Sequence, residues 1–328
     1  MKKLDLYDAV TNYDFNHSRY IKFYSALDFS IRVATNNARL QEIISRNSFS
    51  YFRIIKEKSN VLRPDIDIFL TTHRSPKRIP KYFRRIAEAS SLLGVFRCYT
   101  DGDFLLYTQK ENSYLIGSPE RGKFFISLRK VDCSSVRSFL NAVTLSLESR
   151  GFLTLHSAIV SRKNHALLLT GESGSGKTTL AINLIKKGFF YVSDDISLLR
   201  RSNSEGIGVY GLAKDLRRDC YLPDIISRRR MRYLPRFIVF PRIIKSKKSR
   251  LSLLSQDQAY LRLIDLSQLT WLENKEKLLE QLRILQDLSA QCVSFELLGA
   301  RGNIEECCKA IAAAVERAPQ EKADKRKA

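Results

Sequence analysis

The stretch that decides the fold is LLLTGESGSGKTTLAINLIKKGFFYVSDD, from Leu167 to Asp195. It contains GESGSGKT (171–178), which fits the phosphate-binding pattern G-x-x-x-x-G-K-[S/T]. An apolar segment that predicts a strand precedes this loop, and KTTLAINLIKKG predicts a helix that ends at Gly188. FFYVSDD then predicts a second strand that stops near Ser193 and lies beside the first. Strand, glycine-rich loop, helix and strand form a βαβ unit, which predicts parallel pairing and an α/β fold.

The residue types of this loop suit an anionic ligand. Glycine lets the backbone approach phosphate oxygens, and successive N–H groups at a helix start face the negative charge. Lys177 is expected to reach the β and γ phosphates, and the Thr178 hydroxyl to ligate Mg²⁺. ATP and Mg²⁺ are therefore the predicted cofactors, while no base-reading motif separates ATP from GTP or pyrophosphate. The predicted nucleotide-binding residues are Gly171, Glu172, Ser173, Gly174, Ser175, Gly176, Lys177, Thr178 and Thr179.

Two carboxylates and a histidine are candidates for the same site. Asp194 and Asp195 follow Lys177 by only seventeen and eighteen residues, so the second strand would open them onto the phosphate crevice. Adjacent residues of a strand point to opposite sides, so we expect one carboxylate at the metal and the other at an incoming hydroxyl. A helix cap or a strand-end turn is the alternative. His156 lies on the preceding strand, across a short hairpin from the loop, and a purely structural histidine is its alternative.

The rest of the chain divides into three regions. Residues 1–150 predict a mixed α+β region, with a helix at 38–47, a strand at 65–72, antiparallel strands over 94–130 and a helix that ends at Gly151. Residues 151–316 predict the phosphate-binding domain, with further strands at 236–243 and 291–298 and helices at 255–269, 273–290 and 303–318. Residues 317–328 predict a frayed, charged tail.

Bulk composition is that of a globular protein. The 328 residues are 44% hydrophobic and 27% charged. No run of 18 apolar residues occurs, so no transmembrane helix is expected, and the N-terminus lacks the pattern of a secretory signal. The six cysteines form no C-x-x-C pair and predict reduced thiols in a cytoplasmic protein.

The net charge of +22 is the unusual bulk property. Ten Lys or Arg and no Asp or Glu lie between Ile226 and Arg250. A polyanion partner that binds through Arg228–Arg250 is one interpretation. A solvated basic surface is the other, and Phe237, Val239 and Phe240 within the stretch indicate strand core.

LHSAIV…ALLLTGESGSGKTTLAINLIKKGFFYVSDD resembles the catalytic domain of HPr kinase/phosphorylase. That family has a His ahead of the phosphate-loop strand, a loop of this form, a short helix closing on Lys-Gly or Arg-Gly, and a strand ending in Asp-Asp. The resemblance is good over about 152–196 and looser to about 313. It implies a P-loop catalytic domain of the HPr kinase/phosphoenolpyruvate carboxykinase type for 151–316, rather than an ordinary Rossmann-like sheet.

The resemblance also implies roles for residues. Asp194 would accept the proton of a serine hydroxyl, and His156 would orient that hydroxyl. Asp195 and Thr178 would position Mg²⁺, and Lys177 would stabilise charge on the transferring phosphoryl group. Gly208 stands where bifunctional members carry Glu, so phosphorylase activity is not implied.

YGLAKDLRR (210–218) and the N-terminal region resemble divergent HPr-kinase-like proteins of peptide modification systems, including lasso peptide tailoring kinases. Lys214 and Arg217 are then candidate contacts to phosphate or to an acidic substrate, with a solvated basic loop as the alternative.

The predicted function is an ATP- and Mg²⁺-dependent kinase acting on a serine or similar hydroxyl of a peptide or small protein, which residues 1–150 would recognise. A kinase of a sugar, nucleoside or nucleic-acid hydroxyl and a nucleotide-binding regulator without transfer are the alternatives. The family often forms oligomers, so a homo-oligomer is compatible with the resemblance.

Overall fold

The protein is mixed α/β. The computed structural model describes residues 18–48, 53–54, 64–72, 79, 81–91, 94–108, 113–131, 133–162, 165–202, 204–213, 232–244, 248–267, 274–300 and 303–317. The chain forms two compact units, Met1–Phe152 and Leu153–Ala328. Within the described ranges, no helix is long and apolar enough to cross a membrane. Of the predicted tail, residues 318–328 lie outside these ranges, and the predicted boundary after residue 150 stays a prediction.

The first unit is built on a nine-stranded sheet. Its elements are β1 (Tyr20–Ala26), β2 (Phe29–Thr35), α1 (Ala38–Ser48), β3 (Arg53–Ile54), β4 (Ile66–Thr71), β5 (Arg84–Ser91), β6 (Gly94–Thr100), β7 (Leu105–Thr108), β8 (Tyr114–Ser118), β9 (Lys123–Ser127) and α2 (Cys133–Glu148). The strand order is β3-β1-β2-β4-β9-β8-β7-β6-β5. Strand β4 pairs parallel with β2 and β9, and the other neighbours pair antiparallel. The predicted helices at 38–47 and before Gly151, and the antiparallel strands over 94–130, are confirmed.

Strand β4 lies in the middle of this sheet and is buried at all six residues. Its Asp67 accepts two hydrogen bonds from the Arg32 guanidinium, at 2.6 and 3.0 Å. A buried carboxylate is tolerated only when it is paired in this way. The polar–apolar alternation of 65–72 therefore marks a strand, as predicted, but not a strand with one face in solvent.

The second unit contains two sheets and four helices among its described residues. Its elements are β10 (Phe152–Leu155), β11 (Ser157–Arg162), β12 (His165–Thr170), α3 (Lys177–Ile185), β13 (Phe190–Ser193), β14 (Asp195–Ser202), β15 (Gly206–Ala213), β16 (Leu234–Ile244), β17 (Arg250–Leu253), α4 (Gln256–Leu266), α5 (Lys275–Gln291), β18 (Val293–Ala300) and α6 (Ile304–Arg317). The strand orders are β13-β11-β12-β16-β18-β17 and β10-β14-β15. The later strands and helices predicted from the sequence are confirmed as β16, β18, α4, α5 and α6.

The six-stranded sheet is covered on both faces. Helices α3 and α6 pack on one face, and the three-stranded sheet with helices α4 and α5 packs on the other. Strand β16 illustrates the alternation, because Phe237 and Val239 join the first cluster whereas Ile238 and Phe240 join the second. The core role predicted for the aromatic residues of the basic stretch is thus confirmed.

The arrangement around β12 differs from the sequence prediction. Strand β13 does not lie beside β12, because β11 lies between them and pairs antiparallel with both. Strands β12 and β13 therefore run in the same direction without sharing a ladder, and β12 pairs parallel with β16 instead. Strands β14, β15 and β17 were not predicted.

The two aspartates also do not share one strand end. Strand β13 ends at Ser193, Asp194 lies between strands, and Asp195 begins β14 in the other sheet. A similar change of sheet occurs at His156, between β10 and β11. The prediction that His156 lies within one continuous strand is wrong, because the strand is interrupted there, whereas the predicted strand end near Ser193 is confirmed.

Candidate active site

One edge of the six-stranded sheet collects the predicted site residues. Because β11 runs antiparallel to β12 and β13, its first residues pair with their last ones. His156 immediately precedes β11, the loop 171–178 follows β12, and Asp194 follows β13. Segments that are distant in sequence therefore meet at the edge where α/β sheets bind their ligands.

The loop 171–178 turns from β12 into α3 through left-handed glycines. Gly174 has a φ of +81°, and Gly176, immediately before α3, has a φ of +94°. A Cβ on Gly171 would lie 2.9 Å from the Ser175 hydroxyl, so the loop closes tightly there. The Ser175 Oγ is buried and has no hydrogen-bond partner within the described part of the chain. An unpartnered hydroxyl in a glycine-rich loop at a helix start suits a phosphate oxygen as acceptor.

Lys177 is the buried cation of the site. Only 6% of it is exposed, and its Nζ donates hydrogen bonds to the carbonyl oxygens of Gly171 and Glu172, both at 2.8 Å. Burial lowers the pKa of the Lys177 ammonium, and the carboxylates of Asp194 and Asp195 act in the opposite direction. The Lys177 charge is thus poorly solvated, and it interacts electrostatically with both carboxylates.

Thr178 and Asp194 form the first pair. The Thr178 hydroxyl lies 3.0 and 3.2 Å from the two carboxylate oxygens of Asp194 and donates to that group. Asp194 is only 3% exposed, while Thr178 is exposed at the first turn of α3. The pair links the end of β13 to the start of α3.

His156 and Asp195 form the second pair. The Nε2 of His156 lies 3.2 Å from a carboxylate oxygen of Asp195, and about two fifths of each side chain is exposed, 38% and 40%. Asp195 has a φ of +81°, in the left-handed region that residues other than glycine seldom adopt. Strained backbone of this kind concentrates at functional sites. Asp195 is therefore accessible, whereas Asp194 is closed off.

The oxygen donors of the first pair fit Mg²⁺. This ion prefers oxygen ligands and is usually held by one or two carboxylates together with water and nucleotide phosphates. Thr178 and Asp194 supply a hydroxyl and a carboxylate next to the loop that would hold those phosphates. The described residues contain no group of three or more His, Cys, Asp or Glu side chains suited to a metal ion.

The remaining predicted residues divide into two sets. Glu172, Ser173, Gly174 and Thr179 are exposed along the loop and the first turn of α3. Lys214, Arg217 and Arg228–Arg230 fall in 214–231, outside the described residues, so their roles stay predictions. Within the basic stretch, Arg242, Lys248 and Arg250 are exposed, and Arg232 is paired with Glu205.

Two residues of the site were missed by sequence reasoning. Ser193 immediately precedes the two aspartates and donates to backbone carbonyl oxygens of the other sheet, and Gly211 packs against it. Glycine within the strand-like stretch IGVYGLA, which contains Gly208 and Gly211, was a signal for Gly211, because a glycine in a strand often marks close backbone approach. No local signal distinguished Ser193.

Comparisons with known proteins agree with the resemblance over a short segment. No protein-family model matches the chain. Two curated proteins described as HPr kinase/phosphorylase, from Clostridium botulinum strains Eklund 17B and Alaska E43, are each 41% identical over 54 residues. The match covers 16% of this chain and 18% of the length of each relative. This weak, partial similarity supports an HPr-kinase-like relationship for the segment.

Among solved structures, the Hpr(Ser) kinase/phosphatase from Coxiella burnetii is similar at 14% sequence identity and a TM-score of 0.27. The alignment covers 50% of this chain and 95% of that one. The finer likeness to lasso peptide tailoring kinases stays a prediction.

Proposed function

We propose that this protein is an ATP- and Mg²⁺-dependent kinase that phosphorylates a serine or similar hydroxyl of a peptide or small protein. The observation that carries the proposal is the meeting of loop 171–178 with the Thr178–Asp194 and His156–Asp195 pairs at one sheet edge. Phosphoryl transfer needs positioned phosphates, a metal ion and an oriented hydroxyl, and little covalent chemistry from the protein. The partial similarity to proteins named as HPr kinase/phosphorylase supports the choice of a phosphotransferase.

On the donor side, the loop backbone and Lys177 bind the phosphates. The Lys177 ammonium is poorly solvated where it lies, so a phosphate dianion is a better partner than the carbonyl oxygens it now contacts. Thr178 and Asp194 would hold Mg²⁺. When bound, Mg²⁺ neutralises charge on the phosphate oxygens.

On the acceptor side, two divisions of labour between the carboxylates are open. The resemblance gives Asp194 the proton of the substrate hydroxyl and places Asp195 with Thr178 at the metal. The contacts instead group Thr178 with Asp194 and His156 with Asp195. We propose the second division, because a substrate hydroxyl can reach the exposed Asp195 more easily than the closed Asp194.

In this mechanism the substrate hydroxyl oxygen attacks the γ-phosphorus while its proton passes to the Asp195 carboxylate. The bond between the γ-phosphorus and the β–γ bridging oxygen breaks, and ADP leaves with that oxygen. His156 orients Asp195 throughout through the 3.2 Å contact. General-base assistance of this kind typically contributes about 10²–10⁴-fold to a rate.

The test is transfer of radiolabelled γ-phosphate from ATP with Mg²⁺. The acceptors are a pool of peptides and small proteins from the source cell, RNA and a metabolite extract. The wild-type protein is expected to label a serine-containing peptide or protein, and Asp195→Asn and Asp194→Asn are expected to label it far less. Label on RNA or on a metabolite would refute the peptide substrate and favour a polyanion or small-molecule kinase. Tight ATP binding with no label on any acceptor would favour a regulator without transfer.

A further inference from the structure

We propose that Ser193 and Gly211 form a junction whose role is to position the two aspartates, so that Asp194 serves the metal side and Asp195 the acceptor side. The inference rests on the proposed function and adds to it the residues that keep the two carboxylates apart. Neither Ser193 nor Gly211 would touch the substrate or the nucleotide, so both are positioning residues.

Ser193 ties the two sheets of the second unit together. It is the last residue of β13, pairs with Ile159 of β11, and is fully buried. Its hydroxyl lies 2.8 Å from the carbonyl oxygen of Ile196 and 3.0 Å from that of Leu212, so one proton is shared between β14 and β15. The residue before the aspartates thus bonds to the residue after them and to the strand opposite.

Gly211 makes this contact possible. A Cβ on Gly211 would lie 2.6 Å from the Ser193 Cβ and 3.0 Å from the carbonyl oxygen of Val192, distances that real Cβ atoms seldom or never show. Strand β15 therefore crosses the end of β13 at a separation that only glycine permits. In the β14–β15 ladder, Ala213 pairs with Asp195, so the crossing lies two residues from the acceptor-side carboxylate.

The junction explains the conformation of the aspartates. Between Ser193 and Ile196 the chain must leave one sheet and enter the other within two residues. Asp195 adopts a φ of +81° to do so, and the two carboxylates consequently reach Thr178 on one side and His156 on the other. A buried serine with only a local structural role would donate to one backbone carbonyl, whereas the Ser193 hydroxyl contacts both Ile196, just after the aspartates, and Leu212 on the neighbouring strand.

The experiment measures ATP affinity by calorimetry with Mg²⁺ and with EDTA, in Ser193→Ala, Gly211→Ala and the control Ser289→Ala. Ser289 is a matched control because its buried hydroxyl donates to a backbone carbonyl at 2.8 Å within α5, away from the site. The gain in affinity that Mg²⁺ provides is expected to fall about tenfold in Ser193→Ala, which corresponds to the loss of one hydrogen bond. A fall of at least that size is expected in Gly211→Ala, because its Cβ would displace Ser193. ATP affinity in EDTA is expected to be unchanged in all three variants, because the loop 171–178 is intact.

Two outcomes would overturn the junction. The first is an unchanged Mg²⁺-dependent gain in folded Ser193→Ala protein. The second is a loss of the same size in Ser289→Ala, which would indicate general destabilisation. If Ser193→Ala does not fold, Ser193→Cys keeps a weak donor of similar size and is expected to lose part of the gain. Wild-type protein that binds no ATP at all would refute the proposed function itself, and the junction with it. Wild-type protein that binds ATP with a Mg²⁺-dependent gain but transfers no phosphate leaves the binding comparison decisive for the junction.

Discussion

Asp194 and Asp195 are neighbours of the same chemical type, yet the fold gives them opposite surroundings. Asp194 is only 3% exposed and accepts a hydrogen bond from the Thr178 hydroxyl. The Asp195 side chain is 40% exposed and faces His156. The difference arises because the chain changes sheet here: Asp194 follows the last residue of β13 in one sheet, and Asp195 begins β14 in the other. The element that carries a residue, rather than its type, decides which half of a reaction it can serve.

The largest effect should come from the cation that both carboxylates influence. Lys177→Ala removes the buried ammonium, whose pKa is lowered by burial while Asp194 and Asp195 act in the opposite direction. ATP affinity is expected to fall by about 100-fold or more, the upper range for hydrogen bonds to charged groups. The measurement is ATP-dependent thermal stabilisation. Lys186→Ala, an exposed lysine just after α3, is the control and should bind ATP normally. Equal binding by both variants would refute the phosphate-binding role of the loop.

Replacing each aspartate in turn with asparagine tests the roles of the two carboxylates separately. Asp195→Asn is expected to keep Mg²⁺-dependent ATP binding while phosphate transfer falls about 10²-fold, because only the proton acceptor is lost. Asp194→Asn is expected to lose the Mg²⁺-dependent part of ATP binding as well as transfer. The measurements are ATP affinity with and without Mg²⁺, and the rate of labelled phosphate transfer.

The reverse pattern would favour the roles that the family resemblance implies. In that case Asp194→Asn would bind MgATP normally and fail in transfer, and Asp195→Asn would lose the metal-dependent binding. Identical losses in the two variants would mean that the contrast in burial and partners has no chemical consequence.

A smaller effect on phosphate transfer is expected from substituting His156, the partner of Asp195. His156→Gln keeps a polar side chain but changes the contact to the carboxylate, so transfer should fall about tenfold with ATP affinity unchanged. His165→Gln is the control, because His165 lies at the opposite end of the same hairpin and pairs with Arg162. Transfer rates should fall in the first variant only. A similar loss in both would make His156 a structural residue of the hairpin.

Sequence reasoning was most successful where the signal is local. The loop 171–178 and the helix that ends before Gly188 were identified by glycine, lysine and apolar spacing within about twenty residues. His156 and the two aspartates were predicted near this loop, and the structure brings them to the same sheet edge.

The contrast between the two aspartates was not predictable in the same way. The insertion of β11 between β12 and β13 depends on pairing between distant segments, which no local pattern encodes. The segment YVSDDISLL carries no Gly or Pro that would mark the change of sheet at Asp194. The change of sheet is imposed instead by the tertiary hydrogen bonds of Ser193, which no local pattern shows. The sequence therefore placed both carboxylates near loop 171–178 and gave them different roles, but the contacts pair Thr178 with Asp194 and His156 with Asp195 instead of the grouping that the resemblance implies.

The smallest expected effect concerns stability rather than activity. At a φ of +81°, Asp195 bears a backbone cost that glycine would not, while glycine makes the unfolded chain more flexible. The two terms partly cancel, so Asp195→Gly is expected to raise the free energy of unfolding by about 0.5–1 kcal/mol while abolishing phosphate transfer. Glu280→Gly, at an exposed position of α5, is the control and should lower it by about 0.5–1 kcal/mol. Urea unfolding followed by circular dichroism measures both. A loss of stability in Asp195→Gly as large as in the control would mean that the contact with His156 stabilises the protein by more than the backbone strain costs. The conformation of Asp195 would then be held by its own side chain rather than imposed from Ser193.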